Sequence, residues 1–142
     1  MPRVLNNLNV VLLQGQSSII NVLQHVGPNQ SNFLDDVKVV QELIQLVAKG
    51  SEGVAAIGVP NVTGRFDACT GFWIYHAQYI HKKRGHSHQV IDGIVSPAHG
   101  TTYAPGATWT IMAFNFLAWK GDPRGYAEFF ERWAASSMAA TH

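Results

Sequence analysis

Residues 32–50 read NFLDDVKVVQELIQLVAKG, with apolar positions spaced as on one face of an α-helix. The apolar side chains that share this face are at positions 33, 37, 40, 43, 44 and 47. Asn32 is a suitable N-cap, and two acidic residues follow in the first turn, where the helix dipole favours negative charge. Gly50 after Lys49 is a typical helix end. The stretch therefore predicts an amphipathic helix with one buried face.

The rest of the chain alternates between helical patterns and turn-forming sequence. We predict further helices over residues 66–83, 107–119 and 124–137, the 107–119 helix nearly apolar and therefore central. Gly, Pro, Asn and Asp mark the connections at 50–64, 91–93, 96–106 and 121–123. Before residue 26, two short apolar patches, Val10 to Leu13 and Ile19 to Leu23, predict strands or a docked extended arm.

Composition indicates one folded domain and excludes several classes of function. The chain has 142 residues, 46% hydrophobic and 13% charged, with a formal net charge of +1. This balance argues against disorder and gives no general attraction to nucleic acid or an anionic membrane. No apolar stretch reaches the roughly 18–20 residues of a membrane span. We therefore expect no nucleic-acid partner and no membrane partner.

The N-terminal sequence MPRVLNNLNVVLLQGQ lacks the pattern of a secretory leader. We expect synthesis in the cytoplasm without a signal peptide. Any function in the periplasm or cell wall would then need delivery by a leaderless route.

Three stretches occur in the order found in peptidoglycan-binding domains. Residues 36–44, DVKVVQELI, match the family pattern Asp-Val-x-x-Val-Gln-x-Leu-Leu and follow a similar lead-in, VGPNQSN, at 26–32. Residues 63–70, TGRFDACT, are similar to Asp-Gly-x-Phe-Gly-Pro-x-Thr. A second copy of the turn, DGIVSP at 92–97, precedes Thr108-Trp109. From residue 26 to 117 the chain thus resembles a peptidoglycan-binding domain.

The resemblance has local departures. Thr63, Asp67, Ala68 and Ala77 replace the family's Asp, second Gly, Pro and the Phe before Gln. A loop over 98–107 separates the second turn from the last family helix. Both departures alter the region of the turns, where a ligand groove would lie.

The resemblance implies both a fold and a function. The expected fold is mainly α: a three-helix peptidoglycan-binding-like orthogonal bundle with an additional C-terminal helix and an N-terminal extended arm. The arm would span residues 1–25, the domain 26–120, and the C-terminal helix, packed on the same domain, 121–142. The implied function is non-catalytic binding of peptidoglycan or muropeptide, with no cofactor, to target or assist a secreted effector or lytic enzyme. Similar domains are associated with bacterial secretion systems and phage lysis proteins.

Glycan recognition generally uses aromatic faces for sugar rings and polar side chains for hydroxyl groups. We expect this mixture on the outer side of the second helix, at its start and in the loop after it. The candidate ligand-binding residues are Arg65, Asp67, Tyr75, Gln78, Tyr79 and Tyr103. An alternative interpretation is that Tyr75 and Tyr79 cover the core at the helix edge. Trp73, Trp109 and Trp119 are predicted to be core residues.

The histidines and the single cysteine suggest other chemistry. His86 and His88, with His81 at the end of the preceding helix, are candidate metal ligands. No HExxH motif is present, and a solvated loop is the favoured interpretation. Cys69, on the apolar face of the second helix, is predicted to be a buried structural thiol.

Two alternative functions stay open. The fold could be reused as a protein–protein interaction module: an adaptor, chaperone or immunity-type partner of a secreted toxin. A more distant alternative is a metal-dependent cell-wall hydrolase that uses the histidines. We expect no catalytic residues.

Overall fold

The computed structural model describes residues 4–5, 18–50, 58–85, 89–98 and 110–140. Its elements, in chain order, are β1 (Val4–Leu5), β2 (Ile19–Ile20), α1 (Leu34–Lys49), α2 (Ala68–Lys83), α3 (Thr110–Gly121) and α4 (Pro123–Ala140). The two short strands pair antiparallel, with Val4 opposite Ile20. The prediction of a mainly α, helical-bundle protein is confirmed. The predicted patch at 10–13 and the predicted helix start near residue 107 lie outside the described residues.

The centre of the bundle is the contact between α1 and α3, the most extensive one between helices. Every residue of α3 from Thr110 to Ala118 is buried, as its nearly continuous apolar sequence predicts. The end of α3 approaches the end of α1 very closely. A Cβ on Gly121 would overlap the Leu46 carbonyl oxygen, and one on Gly50 would lie 2.8 Å from the Gly121 Cα. Glycine is therefore needed at this crossing because backbone meets backbone.

The N-terminal segment and α4 both attach to α3 through the buried Asn115. Its side chain accepts a hydrogen bond from the Ile20 backbone N–H at 3.1 Å and donates to the Ile20 carbonyl at 2.9 Å. The Tyr126 hydroxyl of α4 donates to the same side chain at 2.6 Å. Asn115 thus pairs with β2 as a neighbouring strand would, and α4 packs on the same core.

The start of α1 differs from the prediction. Asn32 is not the N-cap; Phe33 holds that position without a side-chain cap. The Asn32 side chain instead binds the backbone N–H and carbonyl of Gly27, both at 2.8 Å. The buried Asp36 carboxylate accepts from the backbone N–H groups of Leu23 and Gln24 at 2.9 and 3.0 Å. These polar side chains bind the backbone of the preceding loop, because its N–H and carbonyl groups there are not paired within a helix or sheet.

A buried glutamine of α1 organises the turn before α2. The Gln41 Oε1 accepts from the backbone N–H groups of Thr63 and Gly64, at 2.9 and 3.0 Å. Its Nε2 donates to the Arg65 carbonyl at 3.0 Å and to the Thr70 hydroxyl at 3.1 Å. One amide therefore joins the turn, with Gly64 at φ +79°, to the first turn of the next helix.

The same arrangement recurs at the next turn. Gln78 of α2 accepts from the Gly93 N–H at 2.9 Å and donates to the Ile94 carbonyl at 3.1 Å and to the Thr110 hydroxyl at 3.0 Å. Gly93 has φ +75°, as the predicted Asp-Gly turn requires. The second turn also pairs with the loop before α1, through a bridge between Val26 and Val95. In both places, a glutamine of one helix thus binds the backbone of the turn and a threonine of the next helix.

Within the part of the chain that the structure describes, no helix combines the length and apolar character needed to cross a bilayer.

Candidate ligand-binding face

The outer face of α2 carries three exposed aromatic residues, Phe72, Tyr75 and Tyr79, which we call the aromatic row. They are 44%, 55% and 50% exposed. Their spacing of three and four residues places them along one side of the helix. The opposite side, including Trp73 and Ala77, is buried in the core. Because half of each tyrosine faces solvent, covering the core does not account for the whole of either side chain.

Each ring of the aromatic row has a neighbouring group. A Cβ on Gly93 would lie 3.7 Å from the Tyr75 ring, so the ring lies beside the second turn. The His76 ring stacks on Phe72, with centroids 5.6 Å apart and planes 9° apart. Lys83 Nζ lies 5.9 Å from the Tyr79 ring centroid. Each ring thus has a neighbouring group on one side and is open to solvent on the other.

Gln78 does not belong to this face, and its prediction as an outer-face residue is wrong. The side chain is 1% exposed, and its amide is used by the turn and by Thr110. It donates a further bond to Asp92 at 3.0 Å. The prediction failed because a buried polar residue cannot be told from an exposed one by helical position alone when a turn supplies its partners.

The other predicted ligand residues lie in different places. Arg65 and Asp67 are exposed and precede α2. Asp67 is the N-cap of α2. One of its carboxylate oxygens accepts hydrogen bonds from the Thr70 backbone N–H at 2.7 Å and from the Thr70 hydroxyl at 2.6 Å, so that oxygen is already used in capping the helix. Tyr103 lies outside the described residues. The structure brings Tyr75 and Tyr79 together and leaves Arg65 and Asp67 at the other end of the helix.

His81, a candidate metal ligand, is buried inside the bundle. Its Nδ1 lies 3.1 Å from the Gln89 Oε1, and Gln89 in turn donates to Thr110 at 3.2 Å. His86 and His88 lie outside the described residues. Among the described residues there is no group of three or more His, Cys, Asp or Glu side chains placed to hold a metal ion. His81 is therefore accounted for by its contacts in the core.

Cys69 lies at the edge of the core rather than fully inside it. The residue is half-buried, and its Sγ is 4.0 Å from the Gly58 carbonyl oxygen. Burial, with a smaller contribution from the negative charge of Asp67, raises the pKa of the thiol. A raised pKa disfavours the thiolate and therefore nucleophilic chemistry at this position.

Two residues of the face were missed by sequence reasoning. Phe72 completes the three- and four-residue spacing of the tyrosines, and that spacing could have identified it. His76 lies between Phe72 and the buried Trp73, whose ring it meets edge-on at 5.6 Å. No sequence signal distinguishes His76 from a solvated histidine, because its contacts depend on the rotamers of its neighbours.

The stacked His76 predicts acid sensitivity. Burial lowers the pKa of His76 in the folded state, while the unfolded chain binds the proton with an ordinary pKa of about 6.5. Stability should therefore fall as the pH drops from about 7.5 through that value, since the unfolded state then binds more protons. The measurement is the urea midpoint between about pH 7.5 and 5. His76→Phe keeps a stacked ring without titration, and its midpoint should fall less; an equal fall in both proteins would contradict the assignment.

Scans against protein-family models, curated proteins and solved structures found no match to this chain.

Proposed function

We propose that this protein is a non-catalytic module that binds bacterial cell-wall peptidoglycan through the aromatic row. The observation that carries the proposal is the half-exposed Phe72, Tyr75 and Tyr79 along one side of α2. Bound there, the chain would localise a cell-wall-acting or secreted protein.

The size of the row suits a glycan strand. From Phe72 to Tyr79 the helix rises about 10 Å, enough for two consecutive sugar rings to lie across it. The C–H faces of sugar rings are apolar and stack on aromatic side chains, whose large surfaces give most of the binding energy at such sites. Tyr75 and Tyr79 add hydroxyl groups that donate and accept hydrogen bonds with sugar hydroxyl and acetamido groups.

The surroundings of the row also suit the proposed ligand. Phe72 is stacked on His76 and Tyr75 lies beside the second turn, which reduces the conformational entropy that these two rings lose on binding. The exposed Lys82 and Lys83 at the end of α2 place positive charge where stem-peptide carboxylates could be bound. The repeated turns, each bound by a glutamine, support the resemblance to peptidoglycan-binding domains.

The proposal predicts sedimentation of the purified protein with insoluble peptidoglycan sacculi. Tyr75→Ala/Tyr79→Ala should lose about tenfold or more in affinity, because two stacking surfaces of about 0.5–1.5 kcal/mol each are removed. Phe33→Ala is the matched control, since Phe33 is also 55% exposed but lies at the start of α1.

The control should sediment as the wild type does, and far-UV circular dichroism should give the same helical content for all three proteins. Wild-type protein that stays in the supernatant, or a double variant that sediments equally well, would contradict the proposal.

A second candidate function is a protein–protein interaction module, such as an adaptor, chaperone or immunity-type partner of a secreted toxin. The specific observation in its favour is the pair of exposed apolar residues at the start of α1, Phe33 at 55% and Leu34 at 56%. Aromatic and apolar residues of this kind serve as anchors in protein interfaces. This candidate predicts a stoichiometric complex that forms without sacculi and is lost in Phe33→Ala.

A further inference from the structure

A small open pocket lies where α1, α2 and α3 end. Its volume is about 260 Å³. Its apolar wall is formed by the buried Val47 and Leu117 and the half-buried Ile80, one residue from each helix. The exposed Arg84 and Lys120 stand beside this wall. The pocket shares no residue with the aromatic row.

The size of the pocket indicates what it could hold. Pockets that bind whole small-molecule ligands measure about 300–1,000 Å³, so this one is on the small side. It matches a single large apolar side chain, the type of anchor that carries much of the energy of a protein contact. An apolar group entering it would be covered by side chains of three helices at once.

The net charge around the pocket indicates which chemical group would accompany the apolar side chain. Three helix C-termini meet here, each equivalent to about −0.5 charge and roughly −1.5 together. Two cationic side chains line the pocket, Arg84 and Lys120, and neither forms an ion pair with a described residue. Asp122 is already paired with Lys49, with Nζ and Oδ2 2.7 Å apart. The two positive side chains slightly exceed the roughly −1.5 charge of the three helix ends, so the small positive surplus at the pocket favours an anion.

We propose that this pocket binds the C-terminal residue of a partner polypeptide, with an apolar side chain against Val47, Ile80 and Leu117. The terminal carboxylate is held by Arg84 and Lys120. A chain terminus fits better than an internal acidic segment, because one residue supplies both the apolar group and the adjacent negative charge. The site is independent of peptidoglycan binding and gives the module a way to hold the protein that it localises.

The test is a titration of the full chain, followed by amide NMR, with N-acetyl-leucine and with its uncharged match N-acetyl-leucinamide. N-acetyl-leucine should shift the resonances of Val47, Ile80 and Leu117. N-acetyl-leucinamide should bind about five- to tenfold more weakly than N-acetyl-leucine, as expected when two exposed charge pairs are lost. Added salt should weaken binding of the acid and leave the amide unchanged.

The variant Arg84→Gln/Lys120→Gln should reduce binding of the acid to the level of the amide. Lys38→Gln, which removes one positive charge from α1 away from the pocket, is the control and should bind the acid as the wild type does. Equal affinity of the wild type for acid and amide would overturn the proposal, and so would shifts confined to other residues or the absence of any shift. None of these outcomes depends on whether the protein binds sacculi.

Discussion

Gly121→Ala is expected to lower the free energy of unfolding by about 3 kcal/mol, the upper part of the range for overpacked sites. Alanine is favoured over glycine inside a helix by about 1 kcal/mol. If helix propensity alone decided the outcome, the substitution would therefore stabilise the protein. Here the added Cβ would overlap the Leu46 carbonyl oxygen, and the nearest neighbours are backbone atoms. Backbone cannot rotate away as a side chain can, so α1 and α3 must separate.

Urea unfolding followed by far-UV circular dichroism measures this effect. Gly71→Ala is the matched control, since Gly71 also lies in a helix and its Cβ would meet mainly the tip of the Phe66 ring, at 3.1 Å. That ring can shift, and the control should stay within about 1 kcal/mol of the wild type. A Gly121→Ala protein as stable as the control would contradict the close approach of the two helix ends.

Gln78→Ala is expected to cost about 3–4 kcal/mol of stability. It removes the Oε1 acceptor and the two N–H donors, which are shared among Asp92, Ile94 and Thr110, and it leaves the Gly93 N–H and the Ile94 carbonyl without their partner. Each buried polar group left unsatisfied costs about 1–3 kcal/mol, and the lost side-chain volume adds to this.

Urea unfolding of Gln78→Ala is compared with that of Gln45→Ala. Gln45 donates one bond, to the Pro60 carbonyl at 3.0 Å, and its loss should cost about 1 kcal/mol. Gln78→Glu should also destabilise at neutral pH, because a carboxylate would face the Ile94 carbonyl and Asp92. Equal stability of the two alanine variants would show that Gln78 does not organise the second turn.

The helices were predictable from sequence because their signals are local. The apolar spacing and the Lys49-Gly50 end placed α1 within one or two residues, and Gly121-Asp122-Pro123 marked the break between α3 and α4. Asn32 was misassigned because an asparagine that binds a preceding glycine looks the same in sequence as one that caps a helix.

The candidate face was predictable only in part. Tyr75 and Tyr79 follow from helical spacing, which gives the side of a helix on which a residue lies. Gln78 was placed wrongly because its four polar contacts are with residues 14 to 32 positions away, and no local pattern encodes them. The pocket at the helix ends was not predictable either, because Val47, Ile80 and Leu117 come together only when three helices pack.

The central claim is that peptidoglycan binds to the outer face of α2, and amide NMR with soluble muropeptides tests it most directly. Perturbed resonances should cluster at Phe72 to Tyr79 and at Asp92-Gly93, the turn beside Tyr75, and they should saturate as ligand is added. Saturable shifts centred on other residues, or none at all with a folded protein, would contradict the claim.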